Sequence, residues 1–156
     1  MVVIVACFMR CCAKKEINNP IDAHPYSFQH VKKFLNTADT YGIDTKEVGR
    51  NIDQVLEYPL NQNLLGIYIP SDRHIVINSS ITRDSITLKK TLYHELGHLY
   101  GLKHDSIGIM TTYLTPQEIH KKYCPLEGGS DEVWKKDVDN LMKEIKRKQD
   151  SINLVK

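Results

Sequence analysis

One twelve-residue segment constrains this chain more than any other: His94-Glu95-Leu96-Gly97-His98-Leu99-Tyr100-Gly101-Leu102-Lys103-His104-Asp105. It follows apolar residues at Leu88, Leu92, Leu96 and Leu99, a spacing that predicts a helix with one buried stripe. Asp84 or Ser85 can cap its start. On such a helix His94 and His98 lie four apart, so their rings project from one face, one turn apart. Two imidazoles so placed can reach a single metal ion at about 2.0–2.1 Å. Glu95 lies one step round the helix, beside the metal without being forced to bind it. That is where a base acting on a metal-bound water belongs. Gly101 allows the helix to end with positive φ and the chain to turn sharply. His104, three residues on, can then fold back as the third ligand of a catalytic site that keeps a fourth position open. Chance assembles this pattern in a chain of this size on the order of once in 100,000 sequences of average residue usage. The competing reading is a buried helix whose histidines align without a metal, leaving polar groups unpaired at a cost of a few kcal/mol.

The rest of the chain suits a small α+β domain. Its 156 residues allow one domain and a core that needs no staples. Hydrophobic residues at 41% and charged residues at 26% are ordinary for a globular protein, and the formal charge of +2 offers no footprint for nucleic acid. Phe28, Val31, Phe34, Leu35, Ala38 and Tyr41 recur at helical spacing, with Gly42 as a stop. Residues 43–60 can be read as a helix face (Ile52, Val55, Leu56) or as a strand from Asn51 to Tyr58, with the strand preferred. Leu64 to Ile69 and His74 to Asn78 predict two strands joined by the turn Pro70-Ser71-Asp72-Arg73, forming a hairpin. Thr115-Pro116-Gln117-Glu118 has the signature of a capped helix start. Gly128-Gly129 breaks the chain, and Ser130 caps a last helix with Trp134, Val138, Leu141, Met142 and Ile145 on its apolar face.

The N-terminus stands apart. Met1 to Met9 is almost wholly apolar but too short to span a bilayer, and it lacks the positive start of a secretory signal. Ile4-Val5-Ala6-Cys7 resembles a bacterial lipobox, in which the cysteine carries a lipid. Residues 1–20 are therefore read as a tail, an N-terminal strand, or a clipped export or lipoprotein signal anchored to a membrane through Cys7. Residues 21–150 form the domain. Cys7, Cys11, Cys12 and Cys124 make neither a disulfide framework nor a CxxC zinc pattern, and the pairing of Cys124 is left open. His24, His30, His74 and His120 carry no motif and are assigned to the surface or to packing.

HExxHxxGxxH followed by Asp resembles the zinc signature of the metzincins, the group that holds matrixins, adamalysins and astacins. The match covers Leu88 to Met110, and the order of the remaining elements is similar to that of small bacterial metallopeptidases with a pared-down domain of this kind. The resemblance implies a compact zincin-like α+β fold: a small twisted sheet, a backing helix, an active-site helix and C-terminal helices. It implies one catalytic Zn²⁺ on His94, His98 and His104, with Glu95 as general base in peptide-bond hydrolysis. Met110, six residues past His104, would be the methionine of the turn beneath the metal. Gly101 and Asp105 would shape the site without binding the ion. In some members a tyrosine two residues past that methionine donates to the oxyanion; here Tyr113 stands three past it and is the candidate donor. The antiparallel edge strand bordering the substrate cleft is assigned to His74–Ser79, where a peptide could add by main-chain hydrogen bonds. The implied partner is a peptide or protein substrate, the implied location is secreted or in the cell envelope, and the chain is expected to act as a monomer. A zinc protein that binds partners without catalysis, and a hydrolase of a non-peptide amide, are the competing readings.

Overall fold

The computed structural model describes residues 21–61, 63–105, 108–112 and 114–154. Over these the chain is α+β, a four-stranded mixed sheet with five α-helices. Strands β1 (Asp22–Ala23), β2 (Gln54–Tyr58), β3 (Gly66–Ile69) and β4 (His74–Asn78) lie in the order β1-β2-β4-β3. The first three in that order run parallel, and β3 pairs antiparallel with β4 through Gly66 opposite Ile77 and Ile69 opposite His74. The predicted hairpin is therefore present.

Helix α1 (Pro25–Thr40) buries Val31, Phe34 and Ala38, and α3 (Ser85–Leu99) buries Leu88, Leu92 and Leu96. Both pack with Val55, Ile75 and Ile77 of the sheet in one core. The rings of Phe34 and Tyr93 meet edge to face at 5.1 Å where the two helices cross. The other sheet face is open: Leu56, Val76 and Ile67, aligned across β2, β4 and β3, are half-buried or exposed. The strand preferred for Asn51 to Tyr58 is present as β2, so Val55 and Leu56 form no helix face; a short helix, α2 (Lys46–Asn51), ends just before Ile52. Helix α4 (Pro116–Tyr123) opens with the expected capping box, Thr115 and Glu118 each bonding the other's backbone N–H. Helix α5 (Asp131–Asn153), capped by Ser130, seats Val138, Leu141, Met142 and Ile145 in the core.

The edge strand is not where it was expected. β4 is an interior strand, bonded by β2 on one side and β3 on the other, and the edge facing the motif helix is β3. The residue pattern gives the reason. Ile75-Val76-Ile77 is a run of β-branched residues, which suits a strand bonded on both sides. In β3, Gly66 lets the backbone come down onto α3; a Cβ there would sit 2.6 Å from Thr91 Cγ2 and 3.4 Å from Glu95 Cγ. Strand β4 also ends at Asn78 rather than Ser79. The Asn78 side chain accepts from Ser80 N–H and donates to Leu64 O at 2.9 Å, turning the chain while pinning the loop before β3.

Candidate metal centre

Helix α3 begins where Asp84 accepts the N–H groups of Ile86 and Thr87. It ends in a Schellman motif: Gly101 N–H donates to His98 O at 2.8 Å, Leu102 N–H donates to Gly97 O at 3.0 Å, and Gly101 has φ +74°. The expected glycine hinge is present. Lys148 of α5 donates to Gly101 O and ties the hinge to the last helix.

This turn returns His104 to the helix. His98 Nε2 lies 3.1 Å from His94 Nε2 and 3.0 Å from His104 Nε2. The other ring nitrogens explain what those short distances mean. His94 Nδ1 is 2.9 Å from Ile109 O, and His98 Nδ1 is 2.9 Å from Leu102 O. A carbonyl only accepts, so each Nδ1 carries the hydrogen and each Nε2 presents a lone pair. Two lone pairs 3.1 Å apart repel unless a cation stands between them. Three nitrogens about 2.0–2.1 Å from a tetrahedral ion would be about 3.3 Å from each other. The His94, His98 and His104 group thus fits a metal ion, with the rings of His94 and His98 already oriented by carbonyl acceptors. Burial, with Lys90 adding repulsion, pushes His94 down to about 3, and His104 is lowered in the same sense, so these rings are neutral donors at neutral pH.

Met110 is buried, with its side chain against Gly97 of the motif helix. Its segment is held at three consecutive carbonyls. Ile109 O accepts from His94 Nδ1 at 2.9 Å, Met110 O accepts from Asp105 N–H at 3.1 Å, and Thr111 O accepts from Lys90 Nζ at 2.8 Å. Asp105 serves this turn through its backbone, which pairs with Thr111 in an isolated bridge next to His104. Gly108, at φ +77°, makes the bend. Tyr113 and Cys7, the candidate oxyanion donor and lipidation site, lie outside the described residues, as do Cys11 and Cys12.

Glu95 is buried beside the triad. Its Oε2 accepts the N–H of Tyr68 on β3 at 2.9 Å, joining the motif helix to the sheet edge. Burial raises its carboxyl to about 7, against the pull of the Tyr68 amide and of Lys90. An open cleft of about 390 Å³ runs between β3 and α3, lined by Leu65, Gly66, Tyr68, Lys90, Glu95 and the three histidines among others. The sequence reading missed two of these residues. Lys90 had a usable signal, since it stands four before His94 and must share its face. The Tyr68 amide had none, because its role depends on strand order.

No family model, curated protein or solved structure matches the chain.

Of the remaining histidines, His120 does more than pack. Its Nε2 meets Asp84 at 2.8 Å and its Nδ1 meets Glu127 at 3.0 Å. These bonds raise its pKa and tie α4 to the start of the motif helix. His30 is buried with Nε2 3.4 Å from Ser85 Oγ. Cys124 is buried and has no disulfide partner among the described residues.

Proposed function

We propose that the protein is a zinc-dependent endopeptidase of the metzincin type, with His94, His98 and His104 as ligands and Glu95 as general base. The observation that carries this reading is the three converging Nε2 atoms beside a buried carboxylate, on the wall of an open cleft. Zinc bound by three neutral imidazoles supplies a Lewis acid that acidifies water and polarises a carbonyl. The chain's own groups do the rest. Glu95 is anchored at Oε2 by Tyr68 N–H, and Oε1 has no hydrogen-bond partner among the described residues. Oε1 takes the proton of the attacking water and returns it to the leaving amine. Strand β3 carries the sheet edge along the cleft, with its Tyr68 N–H given to Glu95, and an extended peptide docks along that edge through the main-chain groups that remain. Met110 packs under the ligands and fixes the floor. A secreted or cell-envelope location belongs to the same proposal and rests on that resemblance together with the lipobox-like Ile4-Val5-Ala6-Cys7.

The test is digestion of a diverse peptide mixture by zinc-loaded protein, read by mass spectrometry, with Glu95→Ala alongside. Cleavage by the wild type only, with zinc retained in both, supports the assignment. If neither cleaves while each chain holds one zinc, the endopeptidase reading gives way to a non-catalytic zinc protein or a hydrolase of another amide.

A further inference from the structure

Lys90 occupies a position that ligand chemistry alone does not explain. It is one turn before His94 on α3 and only 5% exposed, and it lines the same cleft as His94, Glu95 and His104. Its ammonium has three hydrogens to give, and among the described residues one is used, on Thr111 O at 2.8 Å. Among the described residues it joins no ion pair. Glu95 is the favourable charge nearby, and Lys122 opposes it. A buried ammonium with one carbonyl for company is costly, and a methionine would fill the same space without the charge.

Two further residues that line the cleft, Thr91 and Thr111, have buried hydroxyl oxygens with no hydrogen-bond partner among the described residues. Lys90 supplies the charge for a planar anion with two oxygens in this cleft, and the two hydroxyls, closed off from solvent as they stand, can join it as donors only when χ1 turns them toward the cleft. Resting on the peptidase reading above, we propose that Lys90, with Thr91 and Thr111, forms a carboxylate-binding subsite that selects substrates bearing a carboxylate next to the scissile bond. That carboxylate is either an Asp or Glu side chain or the free C-terminus of a short peptide. Lys90 is the specificity-determining residue, because it alone supplies full charge.

The experiment compares wild type, Lys90→Gln and Lys90→Met. Lys90→Gln keeps a donor for Thr111 O and removes the charge. Matched peptides carry Glu, Gln or Leu on either side of the cleaved bond, and a second set ends in a free acid or an amide. Wild type should favour the carboxylate by about tenfold or more in kcat/KM, and both variants should bring the ratio near one, Lys90→Gln with little change in thermal midpoint. The arm that shows the preference identifies the source of the carboxylate. Calorimetry with peptide hydroxamates bearing Glu or Gln gives a second readout that needs no turnover. A Glu preference in binding that Lys90→Gln erases supports the subsite even if no peptide is cut, in which case the peptidase reading alone fails. Equal binding and cleavage of acidic and neutral ligands by the wild type would overturn the subsite, as would a preference that survives in Lys90→Gln.

Discussion

Gly97 offers the sharpest test of how the motif helix and the methionine turn support each other. It lies between the two helical ligands, and its missing side chain is filled by Met110. A Cβ added at Gly97 would run into Met110 Sδ, well inside contact distance, with Met110 Cε at 3.2 Å and Leu141 Cδ1 at 3.4 Å. Two opposing effects follow from Gly97→Ala. Alanine in a helix interior is favoured over glycine by about 1 kcal/mol. Against this, the sulfur must withdraw by roughly an ångström within a packed core, and overpacking of this kind costs about 1–3 kcal/mol. The net expectation is a loss of about 0–2 kcal/mol, small enough to be mistaken for nothing. A double-mutant cycle removes the ambiguity. Met110→Ala alone should cost about 2–5 kcal/mol by opening a cavity. In that background the obstacle is gone, so Gly97→Ala should stabilise by about 1 kcal/mol. The sign of one substitution therefore inverts between backgrounds, with a coupling of about 1–3 kcal/mol. Urea unfolding followed by circular dichroism on metal-free protein measures it. Because Ile109 O orients His94, Gly97→Ala alone should also weaken metal binding. If Gly97→Ala has the same effect with and without Met110, the methionine does not bear on the helix as described.

Other substitutions probe separate links. His104→Ala should weaken zinc binding by more than about 100-fold, beyond what loss of an outer hydrogen-bond partner costs, as read by competition with a chelator; unchanged affinity would show the third ligand to be misassigned. Gly129→Ala should destabilise by more than about 2 kcal/mol, since its Cβ would lie 2.5 Å from Cys124 N and 2.6 Å from Tyr123 N, backbone atoms that cannot swing aside. Gly128→Ala meets nothing within 4 Å and should cost only the strain of φ +87°, about 1–2 kcal/mol, so urea midpoints should rank the two. His30 has its pKa lowered from 6.5 to about 4, by burial first and then by Lys33 and Lys89. The unfolded chain then takes up the proton before the folded one, so stability is full above pH 6.5 and falls as pH drops toward 4. The loss is at most on the order of 3 kcal/mol, and urea midpoints between pH 7 and 4.5 should fall less steeply in His30→Gln than in wild type; parallel slopes would remove His30 from the account.

What could be read from the sequence and what could not divide along one physical line. The ligands, the hinge and the helix caps are set by spacing within a few residues. Helical geometry converts such spacing directly into position, so His94, His98, Gly101 and the Thr115 capping box fall as expected. Strand order is different, because it depends on which distant segments pair. β3 and β4 are adjacent in sequence and antiparallel in the structure, which a hairpin turn predicts; which of them then meets β2 follows from how well each suits an interior position. Ile75-Val76-Ile77 carried that information, but reading the cleft onto His74–Ser79 overlooked it. The same line explains Lys90. A lysine among apolar helix positions is normally read as a solvated stem, and its distance from His94 along the chain says only that the two share a face. Whether that face is wet depends on β3 lying across it, and β3 lies there because Gly66 has no side chain to keep it away from Thr91. The position of the edge strand thus decides both where a substrate lies and what charge it meets, and a single glycine far from the histidines in sequence controls it. A Gly66→Ala protein would retain every residue of the zinc motif, yet its edge strand would have to move away from the wall on which Lys90 and Glu95 stand.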